Sequence, residues 1–334
     1  MSFTIARLTR RATLSHLRHV PAVHPKGAPL LVRQVYEQVE RDFGLLAPPV
    51  ALHAAAPEVL AAAWSLVREN LLVSGTTTRL ERECVAAAVS AVNACPYCVD
   101  VHRTVVHGLG GDPPPSLPAV LPPELIGVAV TFHYLNRMVN VFLQDSPLAA
   151  VPPALLGGAR SVAARLMGRL AGREPVAGQS LSLLPATGSR VGTARQLPAD
   201  LRWAAGLPHV AAAMAGAATV IEDAGERAVP VAVRDLVHEC LNERSAPLGG
   251  LADASGRLDA RVAGLSAPDR AAGRLAMLVA FASYRVTDSL VAEVRAGGHD
   301  DAGLIGLAAW AALAAARRCG DTLATAHETS GSTA

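Results

Sequence analysis

Apolar residues recur three and four positions apart over most of the chain, and no stretch alternates apolar and polar residues for long. Leu52 to Leu72 shows this helical spacing, with Pro57 near its start. Leu80 to Val92 repeats it after the turn-like Ser74-Gly75-Thr76-Thr77-Thr78. A third helix is predicted to begin near Cys95-Pro96 and to stop at Gly108 to Gly111. Six prolines in the eleven residues from Pro113 to Pro123 break the pattern, and Glu124 to Leu143 resumes it as a long helix. Residues 175–200, rich in Gly, Pro and Ser, read as a linker. The longest apolar run lies within Leu304 to Ala316, between Asp301 and Arg317; it is too short to span a bilayer and reads as a buried helix. The pattern predicts an all-α protein.

The helices repeat. At an offset of 151 residues Pro57 falls on Pro208, each followed by Val and an alanine run. At an offset of 179, Leu125-Ile126-Gly127-Val128-Ala129 matches Leu304-Ile305-Gly306-Leu307-Ala308. A degenerate tandem duplication is expected, its second copy longer by 28 residues placed roughly within Ala271 to Arg295. The first offset puts Cys95-Pro96-Tyr97-Cys98 over Ala246-Pro247-Leu248-Gly249 and His102 over Asp253, so chemistry carried by thiols belongs to the first copy alone.

Composition narrows the class. Of 334 residues 51% are hydrophobic but only 4% aromatic, so Ala, Leu and Val must build the core, as close-packed helices allow. Lys26 is the only lysine among 30 basic residues, a coding bias that weakens alanine content as a helix signal. A net charge of +2 argues against a nucleic-acid partner. The one basic asymmetry is at the start, where Arg7, Arg10, Arg11, Arg18, Lys26 and Arg33 precede the first acidic residue, Glu37. No apolar core of a signal peptide accompanies them, and a solvated basic tail is expected. Five cysteines, three of them isolated (Cys84, Cys240, Cys319), do not make a secreted disulfide framework. A cytoplasmic chain with no membrane partner is the expectation.

The chemistry concentrates in "ACPYCVDVHR", residues 94–103. Pro96 suits the first position of a helix, where its missing N–H costs nothing, which makes Cys95 the N-cap. Cys95, Cys98 and His102 then share one helical face. A helix N-terminus lowers a thiol's pKa, and His102, one turn below Cys98, is placed to take its proton. Glu83 lies twelve residues before Cys95 on the preceding helix; a turn at Asn93-Ala94 would fold its carboxylate back to orient the imidazole. Other readings of the same residues stay open: a glutaredoxin-like CPYC, though no apolar strand precedes it; a zinc site adding His107, though no second ligand pair is visible; or two buried structural thiols. Cys84, Cys240 and Cys319 read as core residues, and His133 and Tyr134 as core or channel residues of the long helix.

The pattern Glu83, eleven residues, Cys95, two residues, Cys98, three residues, His102 resembles the active site of the AhpD-like alkylhydroperoxidases of the carboxymuconolactone decarboxylase superfamily. "RLERECVAAAVSAVNACPYCVDVHRTVV" and "LIGVAVTFHYLNRMVNVF", with Asn136-Arg137, are similar to that family; the likeness is good over residues 35–145 and weak over 200–320. It implies an AhpD-like fold arranged as a basic tail (1–34), a redox half (35–148), a linker and irregular segment (149–199), a degenerate second half (200–325) and a C-terminal tail (326–334). It further implies a peroxidase in which Cys98 is the peroxidatic and Cys95 the resolving cysteine, with Glu83 and His102 as proton relay. No cofactor or metal is required. The implied partners are an organic hydroperoxide or hydrogen peroxide, an external dithiol or thioredoxin-like reductant, and further copies in a homo-oligomer. The residue before the second cysteine, often histidine in the family, is Tyr97 here, which leaves the details of the relay open. The alternatives are a lyase of the same superfamily, in which Glu83 and His102 do acid–base work alone, and a non-enzymatic redox sensor.

Overall fold

The computed structural model of the chain describes residues 10, 13–146, 156–185, 197–243 and 255–331. Among them every regular element is helical. The first half comprises α1 (Leu30–Asp42), the short α2 (Pro48–Ala51), α3 (Pro57–Val67) with a π-helical extension (Arg68–Leu72), α4 (Arg79–Val92), α5 (Pro96–Gly108) and α6 (Pro123–Phe142). A connecting helix α7 (Leu156–Ala171) follows, and then α8 (Pro208–Ala228), α9 (Val231–Asn242), α10 (Ser255–Ala263), α11 (Arg270–Ala282), α12 (Asp288–Ala296) and α13 (Asp301–Gly331).

Local sequence fixes the helix starts that matter. Thr78 and Glu81 form a reciprocal capping box at α4, the Glu81 carboxylate accepting the Thr78 N–H at 2.7 Å. Prolines open α3, α5, α6 and α8. Glu124, in the first turn of α6, accepts the N–H groups of Thr76 (2.8 Å) and Thr77 (2.7 Å), pinning the loop before α4 onto α6.

The two halves are built on one plan. Residues Ala56 and Leu207, which precede the opening prolines of α3 and α8, share nearly the same backbone conformation (φ −122°, ψ 86° and φ −125°, ψ 81°). α3 packs on α8 and α6 on α13 across the halves, while α4 lies on α6 as α11 lies on α13. Small residues permit the approach: a Cβ on Gly320 of α13 would fall 2.4 Å from Val130 of α6, and one on Gly225 of α8 would fall 2.2 Å from the Trp310 ring.

Element order corrects the repeat register. α5 packs on α4 as α12 packs on α11, so the counterpart of the turn that leads into Cys95 is residues 283–287, and the surplus is α9 with α10 rather than Ala271 to Arg295. Ungapped matching through alanine-rich helices cannot place an insertion. The earlier partners, Ala246 to Gly249 and Asp253, lie outside the described residues.

Three boundaries also differ. Over the described part of the expected basic tail, Leu14 and Val20 are buried, Leu17 bridges Leu143, and α1 begins at Leu30. Arg10 pairs with Glu40 and Arg18 with Asp288, so charges that have no acidic neighbour in sequence meet one in space. The stretch expected to be irregular contains α7, and the segment after it is held by Glu69, which accepts from Gly178 N (2.8 Å) and Ser180 Oγ (2.6 Å). Finally, the apolar run at Leu304 belongs to a helix that continues to Gly331, past the expected start of a tail. It is long and apolar enough to cross a membrane, but 72% of its apolar window is buried inside the fold.

Candidate active site

α4 and α5 are joined by a turn in which Ala94 takes a left-handed conformation, φ +47°, that costs a non-glycine residue roughly 1–2 kcal/mol. Its neighbours hold it there. Asn93 Oδ1 accepts from the buried Arg137 guanidinium (2.9 Å), and Asn140 donates both to the Asn93 carbonyl (3.0 Å) and to Ser283 of the second half (2.9 Å). Arg137 also donates to the Ala280 carbonyl, so the second half buttresses the turn.

The turn reverses the chain and brings Glu83 to His102, as the spacing anticipates. His102 Nδ1 lies 2.6 Å from Glu83 Oε2. Arg79, one turn before Glu83, holds the other carboxylate oxygen at 2.7 Å. Burial works to raise the Glu83 pKa, but Arg79 and His102 outweigh it and hold the carboxyl down to about 2. An ionised Glu83 accepts the Nδ1–H and leaves the Nε2 lone pair of the ring free to act as a base.

Cys95 is the N-cap of α5, and Cys98 lies in its first turn; both are buried free thiols. The position differs from expectation in one respect. Burial, reinforced by the hydrogen bond and charge of Cys95, pushes the Cys98 thiol well above its ordinary pKa, so the helix N-terminus does not leave it a resting thiolate. Among the described residues Cys98 forms no direct hydrogen bond to His102.

A cavity of about 210 Å³ lies along α5, with Tyr97, Val101 and His102 on its wall. Pro48, Val50, Val67, Leu71, Phe132 and Leu135 supply much of its apolar surface. The His102 ring stands edge-on to Phe132, centroids 4.5 Å apart. Tyr97, which replaces the family's frequent histidine, is buried there, and its hydroxyl pKa is raised by burial.

The remaining candidates fall elsewhere. His133 is fully buried in the Asn93–Arg137 network, its pKa driven well down by burial and by Arg137, and Tyr134 bonds His53 at 2.8 Å. Neither lines the cavity. His107, the fourth candidate zinc ligand, is 55% exposed at the far end of α5. Cys84 points toward the Asp112 carbonyl, and Cys319 contacts Arg137. Arg79 and Asn140 join the site from outside the spaced motif; the i,i+4 spacing to Glu83 signals Arg79, whereas Asn140 carries no local signal.

The helices that carry Glu83, Cys95, Cys98 and His102 fall within residues 57–113, which match the model of the carboxymuconolactone decarboxylase family. The chain belongs to this family. It is 32% identical to the alkyl hydroperoxide reductase Rv2159c of Mycobacterium tuberculosis over 94% of its own length and 97% of that protein's. No solved structure matches it.

Proposed function

We propose that the protein is a thiol-dependent peroxidase that reduces hydroperoxides through a Cys95–Cys98 disulfide cycle. The observation that carries this reading is the Glu83–His102 dyad, its imidazole on the wall of an apolar cavity and on the helix that opens with two buried thiols. His102 Nε2 takes the Cys98 proton as the peroxide arrives, which a buried, high-pKa thiol needs. The thiolate attacks the terminal oxygen of ROOH and the O–O bond breaks. Cys98 becomes a sulfenic acid, and the departing RO⁻ takes the proton from His102 and leaves as ROH. Cys95 then attacks the Cys98 sulfur, forming the disulfide and releasing water. An external dithiol or thioredoxin-like protein returns both thiols to the reduced state, a cycle suited to a reducing cytoplasm. The relative named alkyl hydroperoxide reductase supports this chemistry over that of a decarboxylase. A lyase would use Glu83 and His102 but has no role for a thiol pair, and a redox sensor would form the disulfide without turnover.

The test is peptide mass mapping of the reduced protein after one equivalent of peroxide. A Cys95–Cys98 disulfide should form rapidly in wild type, slowly in His102→Ala and not in Cys98→Ser, with multiple turnovers once a dithiol is supplied. Thiols that stay reduced, or that react no faster than Cys84 and Cys240, would overturn the assignment.

A further inference from the structure

One wall of the cavity comes from a helix that belongs to neither half. Ala163 and Met167, one turn apart on α7, face the volume that His102 and Phe132 also line. α7 reaches α5 at backbone distance. A Cβ on Gly108 would fall 2.2 Å from the Ala164 carbonyl oxygen, and one on Gly168 would fall 2.3 Å from the Gly108 oxygen, so this approach requires glycine on both helices. α7 also covers Gly44, where φ is +98° and a Cβ would fall 2.4 Å from the Leu170 side chain. Past α7 the chain is tied to Glu69 through Gly178 and Ser180, and Arg68 reaches Gln179 at 3.2 Å. Glu69 sits on the same π-helical turn as Leu71, which lines the cavity. The connector is thus fastened to the site on two sides.

The chemistry of the wall selects a class of substrate. An apolar cavity of about 150 Å³ holds a benzene ring, and this one measures about 210 Å³. Among the described residues no lysine or arginine lines it, so an anionic tail finds no cationic partner there. We infer that α7 is the specificity wall of the site, and that with it the cavity selects uncharged hydroperoxides whose hydrocarbon body is about the size of a substituted benzene, in preference to hydrogen peroxide. The reaction rests on the peroxidase reading above; the cavity and its wall do not.

Two measurements separate these. First, kcat/KM is determined for cumene hydroperoxide and for hydrogen peroxide in wild type, Ala163→Phe and Met167→Ala. Wild type favours cumene hydroperoxide; Ala163→Phe lowers the ratio by about tenfold or more, chiefly through KM, and Met167→Ala shifts preference toward bulkier hydroperoxides. Second, binding of 2-phenyl-2-propanol, the unreactive product alcohol, is titrated by NMR, and Ala163→Phe weakens it by about tenfold. A ratio that moves in neither variant, or alcohol binding untouched by Ala163→Phe, overturns the inference. Should Ala163→Phe fail to fold, the Met167→Ala ratio decides alone. Alcohol binding that Ala163→Phe abolishes, in a wild type that consumes no peroxide, upholds the wall and instead sinks the peroxidase reading.

Discussion

The two halves solve the same packing problem with different interiors. In the first, the helix pair α4–α5 buries Glu83, His102 and two thiols, with the Arg79 guanidinium against them. In the second, the equivalent pair α11–α12 has no acidic residue on α11 and no histidine on α12, and buries Leu275, Leu290, Val291 and Val294. The joint differs too. Asn93-Ala94 turns tightly into a cysteine N-cap, whereas the second half passes through a 3-10 turn (Ser283–Arg285) to Thr287, whose hydroxyl caps Leu290 in the ordinary way. Buried ionised groups cost stability that apolar side chains of the same helices do not. One half carries that cost at the candidate site, and the other supplies plain packing, together with the Ala280 and Ser283 contacts that steady the turn before Cys95.

The most severe way to break the contrast is to move the thiols. Cys98→Ser is expected to abolish dithiol-dependent peroxide consumption, and adding Thr287→Cys and Leu290→Cys to it should restore none, because among the described residues no carboxylate–imidazole pair serves that turn; a coupled peroxide assay reads both. Next, Glu83→Gln should lower kcat/KM by roughly 10²–10³-fold, since the imidazole loses the anion that orients it and raises its basicity. The apolar half is sharpened by Leu275→Ala, which should cost about 2–5 kcal/mol in urea unfolding while the reactive thiols keep their rate.

A fourth expectation concerns acid. Glu83 has its pKa depressed on folding, from about 4.5 to about 2. A depressed carboxylate contributes stability that is fully present above its unfolded value and is lost as pH falls through the folded one. Wild type should therefore lose roughly 3 kcal/mol between about pH 4.5 and pH 2 that Glu83→Gln does not lose, as followed by unfolding at stepped pH. Equal acid sensitivity in the two proteins would show that the carboxylate is not held ionised. The smallest effect is expected of Ala94→Gly, which removes the left-handed penalty and should stabilise the fold by about 1 kcal/mol, offset in part by the freer unfolded chain.

How much of this was legible in the sequence depended on how local the cause was. The Glu83–His102 contact followed from helix spacing and one turn, and the N-cap position of Cys95 followed from Pro96. The high pKa of Cys98 did not, because its cause is burial by residues brought from other helices rather than the N-terminal dipole a sequence displays. The cavity wall was equally hidden: Ala163 and Met167 arrive from more than sixty residues away, and the glycines that let α7 approach read locally as helix breakers. The N-terminal charges looked solvated because Glu40 and Asp288, their partners, are distant in sequence.

The pairing of α3 with α8 and of α6 with α13 takes place within one polypeptide. Their association is therefore intramolecular, set by a fixed effective concentration, and dilution cannot undo it. In a self-associating homodimer every substitution appears twice, on both sides of the symmetry axis. Covalent linkage lifts that constraint: a residue can change on one side while its counterpart stays. A Glu, Cys-x-x-Cys, His set on one side of a duplicated framework is a state that such a chain can reach by mutation and a symmetric pair of copies cannot.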